Sequence, residues 1–286
     1  MKVGVAGVPG AWSSEYLAQQ LRARGAEAFV FSLGDVIHDL VSGTVIWQGQ
    51  DLCTLAAVVV KKLGDQADAS GRLRLHALRS LEATGVRIFS PIDSIDRAMD
   101  RYRMTMILAE AGLPLPATLS AEASAALAAA LASLGDSVLK PVYTSKGRGM
   151  VRLSPTSSGA AMLPPGEHYL VQRFVASPGR DIGATVVGGK FLGAFYRVAR
   201  AGEWMTTTGV GGRYAPCELS QKGIAYAERA ARAFELDYTV VDLVEQADDF
   251  LLYEVSAFGG FRGLLEASGV DAAAAYAQYI LRTLES

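Results

Sequence analysis

The chain has 286 residues, of which half are hydrophobic and a fifth are charged, as expected for a globular protein that buries a sizeable core. A formal net charge of −2 and a pI near 6.0 exclude a general electrostatic attraction to nucleic acid or to anionic membranes. The two cysteines and three histidines have neither redox nor zinc-ligand spacing. We therefore expect a cytoplasmic protein with small-molecule substrates, no nucleic-acid partner and no membrane segment.

The first 97 residues alternate between strand and helix patterns, which predicts a small open parallel sheet. The predicted strands cover residues 3–8, 28–31, 55–60 and 88–91, and a helix covers 70–83. Ligands in such sheets bind at the carboxyl ends of the strands. The glycine-rich turn at 7–10 is either a phosphate cradle or a plain tight turn. Lys61 and Lys62, which directly follow the third strand, fit an anionic substrate or a solvated strand end.

A capped helix is predicted from Asp96 to the region of Gly112, where glycine and proline residues end the pattern. Arg101 and Arg103 lie in its first turns. A cation there opposes the helix dipole unless it faces an anion, so these arginines are candidate anion-binding residues.

A second helix, over residues 121–134, precedes an apolar strand at 137–140. Lys140 lies inside this strand, where a buried ammonium needs a polar partner. The following loop, residues 143–150, interleaves two glycines with two cations and predicts a basic flap that closes over phosphates. It lacks the residue order of a Walker A loop, and a simple hairpin turn is the alternative.

The second half of the chain predicts an antiparallel meander with strands at 169–175, 181–187 and 191–198, followed by a helix over 221–234. A final helix is predicted from 270 to 284. Between these two helices, two apolar runs form a predicted hairpin, residues 240–244 and 251–256.

Each run of this hairpin carries a carboxylate where a core residue is expected. If the turn centres near Asp248, Asp242 falls opposite Glu254 and both share a face of the sheet with Ser256. Two facing carboxylates indicate a Mg²⁺ ion held jointly with the phosphates of a nucleotide. An exposed hairpin with an acidic face is the alternative.

The order of these motifs resembles an ATP-grasp ligase, and within that superfamily the RimK-type glutamate ligases, which join an amino acid to a carboxylate. The motifs that carry the resemblance are DRYR at 100–103, LPLP at 113–116, LKP at 139–141, SKGRGM at 145–150, VQRF at 171–174, PGRDI at 178–182, VDL at 241–243, EVS at 254–256 and GGFRG at 259–263. The resemblance implies an α/β (α+β) chain with an ATP-grasp fold. It also implies a Rossmann-like pre-ATP-grasp domain at 1–97, a central subdomain with the flap at 98–170 and a subdomain with the metal site at 171–286.

The resemblance also implies roles for individual residues. The implied nucleotide-binding residues, at the phosphates, the flap, the adenine hinge and the ribose, are Arg101, Lys140, Lys146, Gly147, Arg148, Gly149, Gln172, Arg173, Phe174, Val175 and Asp181. The implied metal ligands, for Mg²⁺ or alternatively Mn²⁺, are Asp242, Glu254 and Ser256. The implied catalytic residues are Arg197, which reaches the phosphates, and Arg262, which faces the substrate.

Three positions depart from the family pattern. Ser256 and Gly183 stand where the family has Asn and Arg, and Met205 begins the segment where it has Arg-Ser-Asn. Arg200 and Arg213 are candidates to replace the missing cations. We expect an ATP- and Mg²⁺-dependent ligase that acts on a small carboxylate and an amine, glutamate being one candidate substrate. A phosphotransferase and a non-catalytic nucleotide-binding protein are the alternatives, and a homo-oligomer is left open.

Overall fold

A four-stranded parallel sheet forms the N-terminal part of the protein, in the order β2-β1-β6-β7. The computed structural model describes residues 1–64, 69–144, 147–154, 168–206 and 211–286. The N-terminal strands are β1 (Lys2–Ala6), β2 (Glu27–Phe31), β3 (Ile37–His38), β4 (Val45–Trp47), β5 (Gln50–Asp51), β6 (Ala57–Val60) and β7 (Arg87–Phe89). The helices between them are α1 (Trp12–Arg22) and α2 (Ala69–Ala83).

Both faces of this parallel sheet are covered, as expected for strands that are apolar after their first residues. Leu17 and Leu21 of α1 pack on one face. Leu78 and Leu81 of α2 pack on the other. The predicted alternation of strands and helices is confirmed. The small antiparallel sheet β3-β4-β5 was not predicted, because two- and three-residue strands leave no periodic pattern in the sequence.

Two helices, α3 (Ile92–Met99) and α4 (Arg101–Glu110), replace the single helix predicted from Asp96. Asp100 separates them because its backbone is extended and its carboxylate accepts hydrogen bonds from the backbone N–H groups of Tyr102 and Arg103, at 2.9 and 3.1 Å. Asp100, and not Asp96, is therefore the residue that caps α4. Arg101 is the first residue of α4, close to the place in the first turns that the sequence predicted.

The central sheet has the order β10-β9-β11-β8 and carries one helix. Its elements are β8 (Thr118–Ala121), α5 (Ser124–Leu134), β9 (Ser137–Pro141), β10 (Val151–Leu153) and β11 (Tyr169–Arg173). It has its own small core, which includes Leu127, Leu139 and Val171. The predicted boundary at 170/171 cuts through β11, whose five residues pair with β9. We propose that the central subdomain extends to Arg173.

A five-stranded antiparallel sheet, in the order β14-β13-β12-β15-β16, forms the C-terminal part. Its elements are β12 (Arg180–Val187), β13 (Lys190–Val198), β14 (Arg213–Cys217), α6 (Gln221–Phe234), β15 (Tyr238–Gln246), β16 (Asp249–Ser256), α7 (Arg262–Ser268) and α8 (Ala272–Glu285). One face packs its apolar residues, such as Ala184 and Val241, against α6. The opposite face carries the polar residues of the candidate site. Across the parts of the chain that the structure describes, no helix is both long enough and apolar enough to span a bilayer.

Candidate active site

Two carboxylates face each other across the hairpin of β15 and β16. Asp242 pairs directly with Glu254, and Ser256 lies two residues further along β16, opposite Val240. Because side chains alternate along a strand, Asp242, Glu254 and Ser256 share one face. The register predicted from the sequence is confirmed. A β-bulge directly after Asp242 interrupts the ladder at this point, as is common beside functional sites.

Asp242 is a partly buried acid, and one of its carboxylate oxygens lacks a partner in the described part of the chain. Its Oδ2 lies 2.9 Å from Nη2 of Arg197. Its Oδ1 is buried and has no hydrogen-bond partner among the described residues. Burial raises the pKa of Asp242 to about 7, against the opposing effect of Arg197 and with added repulsion from Asp181 and Glu254. A divalent cation on Oδ1 would satisfy this oxygen and stabilise the ionised form.

Arg197 joins two carboxylates on this face. Its Nε and Nη2 donate to Asp181 at 2.8 and 3.1 Å, and Nη2 also lies 2.9 Å from Asp242. Although burial lowers it, the pKa of Arg197 is held above its ordinary value by Asp242 and Asp181. Thr206 donates a further hydrogen bond to Asp181 at 2.9 Å. The carboxylate of Asp181 is thus oriented toward the metal end of the site, and its contact with a ribose stays a prediction.

Two cations, one at the start of α4 and one on β9, approach the carboxylates. Arg101 is 4% exposed, and its Nη1 donates to the backbone oxygen of Pro141 and to Oγ1 of Thr144, at 2.7 and 2.9 Å. Its Nη2 lies 3.9 Å from Oε2 of Glu254 and has no hydrogen-bond partner among the described residues. An anion such as a phosphate would supply the hydrogen-bond acceptor that Nη2 of Arg101 lacks.

Lys140 lies close to Arg101 and to the two carboxylates. It has the polar partner that was predicted for a lysine within an apolar strand. Its Nζ donates to Oε1 of Gln172 at 2.6 Å and lies 5.1 Å from the ring centre of Tyr253. Burial lowers the pKa of Lys140 to about 8, with a further lowering from Arg101 that Glu254 and Asp242 oppose. An anionic ligand would restore the full charge of this ammonium.

The predicted adenine hinge begins at the end of β11. The side chain of Gln172 links Lys140 to Thr118, to which its Nε2 donates at 3.0 Å. This bridge could not be predicted, because it joins three separate segments. The backbone N–H groups of Arg173 and Phe174 donate to the backbone oxygens of Ala117 and Asp136. Contact of adenine with residues 172–175 stays a prediction. Because these two N–H groups are already paired, adenine would have to bind to other backbone groups of the segment.

The predicted flap is tied to Arg101 through Thr144, whose hydroxyl donates to the backbone oxygen of Arg148 at 2.9 Å. Gly147 and Gly149 have φ values of +73° and +69°, a conformation that favours glycine. Lys146, predicted to cover the triphosphate, lies outside the described residues. The described part of the flap therefore adjoins Arg101.

Gly183, where the resemblance leads to an arginine, has no room for a side chain. It pairs with Asp242 on the neighbouring strand. A Cβ atom on Gly183 would lie 2.5 Å from Cζ of Phe195. Phe195 is 4% exposed and fills this space with its ring. The Phe195 ring thus occupies the space that an arginine side chain at position 183 would need.

We expect Gly183→Ala to lower the free energy of unfolding by about 1–3 kcal/mol, because the added methyl group overpacks the site against Phe195. Gly260→Ala is the matched control, since a Cβ there meets no heavy atom within 4 Å. Urea unfolding of both variants measures the difference. Equal stability of the two variants would contradict this account of the glycine.

Lys61 is not at a solvated strand end, so that interpretation is wrong for this residue, and its contact with an anionic substrate stays a prediction. It is 3% exposed, and its Nζ donates to the backbone oxygen of Gly259. The rings of Phe261 and Tyr238 lie 4.2 and 5.3 Å from the ammonium. Burial lowers the pKa of Lys61 to about 7, and Lys62 adds to this effect. Lys61 joins the parallel sheet to the loop that follows Ser256.

This buried lysine predicts a pH-dependent stability. The unfolded chain keeps the Lys61 proton up to pH ~10, whereas the folded chain loses it near pH 7. The free energy of unfolding therefore rises with pH between these values, by at most about 1.4 kcal/mol per pH unit from this residue. Lys61→Met should reduce the slope, and exposed Lys190→Met should not. Denaturant titrations from pH 7 to 10 measure it, and an unchanged slope in Lys61→Met would refute the prediction.

Arg262, at the start of α7, lies beside helix α1. Its guanidinium is 4.8 Å from the ring centre of Trp12. Trp12 in turn stacks on Tyr16, with ring centres 4.8 Å apart. The sequence did not indicate this contact, since residues 12 and 262 meet only through the fold. Arg262 thus lies where the start of α1 meets helix α7.

The donor set fits Mg²⁺ held jointly by protein and phosphates. Among the described residues, no group of three or more His, Cys, Asp or Glu side chains converges on one point, so no site made only of these side chains is present there. Asp242 and Glu254 supply hard carboxylate oxygens, and a Mg²⁺ ion commonly takes one or two of these and completes its octahedron with phosphate and water. The unpartnered Oδ1 of Asp242 supports this assignment.

Solved structures with the same fold are ATP-grasp ligases. D-cycloserine synthetase DcsG aligns with a TM-score of 0.79 at 20% identity, over 99% of this chain and 100% of that one. The ATP-grasp ligase PsnB, in complex with Mg, ADP and a variant of its minimal precursor, aligns with a TM-score of 0.77 at 20% identity, over 99% and 98%. The fold is therefore that of the ATP-grasp ligases, which use ATP and Mg²⁺, and the predicted fold class is confirmed.

Residues 98–280 match the model of the RimK-like ATP-grasp domain, and the chain belongs to this family. It is an ATP-dependent carboxylate–amine ligase, as the sequence predicted. The tetrahydromethanopterin:alpha-L-glutamate ligase of Methanosarcina acetivorans is 29% identical, over 100% of this chain and 99% of the relative. A probable alpha-L-glutamate ligase of Thioalkalivibrio sulfidiphilus is 29% identical, over 94% and 91%.

Proposed function

We propose that the protein joins the amino group of L-glutamate to a carboxylate of a small-molecule acceptor, with ATP converted to ADP and orthophosphate. Two relatives from different organisms carry glutamate ligase names, and they align over nearly the whole chain. One observation supports the proposal above all others: two carboxylates and two cations converge on one space, namely Asp242, Glu254, Arg101 and Lys140. Oδ1 of Asp242 and Nη2 of Arg101 have no hydrogen-bond partner among the described residues.

In the first step, an oxygen of the acceptor carboxylate attacks the γ-phosphorus. The bond between this phosphorus and the bridging oxygen of ADP breaks, and an acyl phosphate forms. Arg101 and Lys140 hold the phosphate oxygens, and the flap covers them, since phosphoryl transfer depends on positioning and electrostatics. Asp242 and Glu254 would hold a Mg²⁺ ion, which would supply positive charge against the charge that develops on the phosphates.

In the second step, the amine nitrogen attacks the carbonyl carbon of the acyl phosphate. The carbon–oxygen bond to phosphate breaks, orthophosphate leaves, and the nitrogen loses a proton to give the amide. Arg197 lies beside Asp242 and suits the departing phosphate, to which its guanidinium can donate. Exclusion of water matters here, because acyl phosphates hydrolyse.

Two further features belong to this proposal. The same oxygens would also hold Mn²⁺, because both ions accept carboxylate and phosphate ligands. The protein acts in the cytoplasm, where its free thiols, Cys53 and Cys217, stay reduced.

A screen of small carboxylates for ADP release in the presence of ATP, Mg²⁺ and L-glutamate tests the proposal. We expect ADP and orthophosphate in equal amounts only when an acceptor acid and glutamate are both present. A stable phosphorylated product without orthophosphate would instead identify a phosphotransferase. ATP binding without turnover over a broad panel of acids would reject the proposed reaction.

A further inference from the structure

The loop that joins β16 to α7, residues 257–261, runs between two residues of the candidate site. Ser256, an implied metal ligand, ends β16 directly before this connecting loop. Arg262, the implied substrate-facing residue, begins α7 directly after it. The conformation of the connecting loop therefore fixes where Arg262 stands relative to the carboxylates.

Side chains from two sheets anchor the backbone of the connecting loop. Oγ1 of Thr239 donates to the backbone oxygen of Ser256 at 2.9 Å, at the entry to the loop. The hydroxyl of Tyr238 donates to the backbone oxygen of Gly260 at 3.0 Å. Both donors belong to β15, next to the strand from which the loop departs. A third anchor, Lys61, reaches the loop from the end of β6 in the parallel sheet.

Lys61 holds the middle of the connecting loop. Its Nζ donates to the backbone oxygen of Gly259. The ring centres of Phe261 and Tyr238 lie 4.2 and 5.3 Å from the ammonium, and Phe261 is itself 1% exposed. A carbonyl dipole and two aromatic rings thus stabilise the charge of a side chain that is almost fully buried.

The connecting loop has no space on one side and open space on the other. A Cβ atom on Gly259 would lie 2.7 Å from Cγ2 and 2.9 Å from the backbone nitrogen of Val240, so the loop backbone packs directly on β15. Gly260 is exposed, and a Cβ atom there would meet no heavy atom within 4 Å. Without its anchors, the loop can therefore move outward into open space.

The charge of Lys61 is costly at this position, where an apolar side chain would fill the space. Burial of an ionisable group disfavours the folded state, whereas a methionine of similar length carries no such cost. Lys61 also lies at the carboxyl end of β6, the end of a parallel sheet at which ligands bind. A lysine here is explained by the carbonyl that it orients.

We propose that Lys61 is a positioning residue of the ligase reaction: by fixing the Gly259 carbonyl, it holds the connecting loop and Arg262 in the conformation that receives the organic substrates. The loop is thereby coupled to the N-terminal parallel sheet as well as to β15. This inference rests on the proposed function, because it takes Arg262 to face the acid or the amine.

Lys61→Met tests the positioning role, because it keeps the apolar stem and removes the donor. The kinetics use ATP, Mg²⁺, L-glutamate and the acid that gives the highest ADP release in the carboxylate screen. We expect kcat/KM for this acid to fall about 10- to 100-fold, because the loop is misplaced. The Kd for a non-hydrolysable ATP analogue should change less than about twofold, since Arg101 and Lys140 lie on other elements. A residue that only supports the fold would not separate these two quantities.

Lys190→Met is the matched control, because Lys190 is exposed and lies near helix α8. Its kcat/KM should equal that of the unmodified protein. Urea unfolding checks that each variant folds. Tyr238→Phe removes the anchor at Gly260 but keeps the ring beside Lys61, and it should lower the same kcat/KM with the affinity for the ATP analogue retained.

Unchanged kcat/KM in folded Lys61→Met would overturn the positioning role. If Lys61→Met does not fold, unchanged kcat/KM in Tyr238→Phe would do the same, because the loop would then need no anchor. An equal loss in Lys190→Met would also overturn it, since removal of any lysine would have the same effect.

Hydrogen exchange separates this inference from the proposed function. It follows the backbone N–H groups of residues 257–263 with the ATP analogue bound and needs no turnover. If exchange is faster in Lys61→Met but the unmodified protein releases no ADP with any acid, the anchor stands and the proposed reaction fails. If the unmodified protein turns over but exchange and kcat/KM are unaltered in Lys61→Met, the proposed reaction stands and the positioning role fails.

Discussion

Asp242→Asn should reduce Mg²⁺-dependent ADP formation at least about 10³-fold. This loss of rate is comparable to that caused by removing a principal electrostatic group from an active site. The amide keeps the shape of the carboxylate but not its charge, so the buried Oδ1 becomes a poor ligand for a divalent cation. Arg197 keeps its two hydrogen bonds to Asp181, and its position is preserved.

The same substitution should leave the fold intact. Burial raises the pKa of Asp242 to about 7, which means that the folded protein disfavours its charge in the absence of a cation. Removing the charge therefore costs little stability. Asp249→Asn is the control, since Asp249 lies on the same hairpin but is paired with Lys222 away from the site. Retained turnover in Asp242→Asn, measured as ADP release, would contradict the metal assignment.

Lys140→Met should raise the dissociation constant for ATP about 10- to 100-fold, because a charge-assisted contact with a phosphate is lost. Methionine preserves the apolar stem beside Tyr253, so the strand is retained. Isothermal titration of ATP measures the change, and Lys222→Met on the exposed side of α6 is the control. Unchanged affinity would mean that Lys140 serves only to hold Gln172.

The affinity for ATP should also depend on pH through Lys140. Burial lowers the pKa of Lys140 to about 8, so the free protein loses this charge as pH rises through 8. Phosphate binds the protonated form, and the affinity of the unmodified protein should therefore fall above about pH 8. Lys140→Met should show a smaller fall across the same range. Parallel titrations at pH 7 and 9 compare the two proteins.

The sequence predicted the elements whose patterns are local. Helix α6 begins and ends where its apolar periodicity indicated. The β15–β16 hairpin pairs Asp242 with Glu254 as predicted, although its turn centres between Ala247 and Asp248, because the β-bulge after Asp242 supplies a one-residue shift that the sequence did not indicate. Strand β14 was missed because it is an edge strand with a proline at Pro216 and without an apolar run. The break at Asp100 was missed because an aspartate inside a helical pattern gives a weak signal until its capping contacts are known.

The electrostatics of the site could be predicted only in part. Asp242, Glu254 and Lys140 were recognisable because each is a charged residue within an apolar strand. The pairing of Arg197 with Asp181 and Asp242 joins three strands, and the burial of Lys61 against Gly259 joins the two ends of the chain. Contacts between segments so far apart depend on tertiary packing, to which local patterns are insensitive.

A crystal structure with Mg²⁺ and a non-hydrolysable ATP analogue tests the central claim most directly. The account predicts an ion at about 2.0–2.1 Å from a carboxylate oxygen of Asp242 and of Glu254, bridged to the nucleotide phosphates. Arg101 and Lys140 should contact the same phosphates. Carboxylates that point away from the ion, or an ion and phosphates bound elsewhere on the protein, would contradict it.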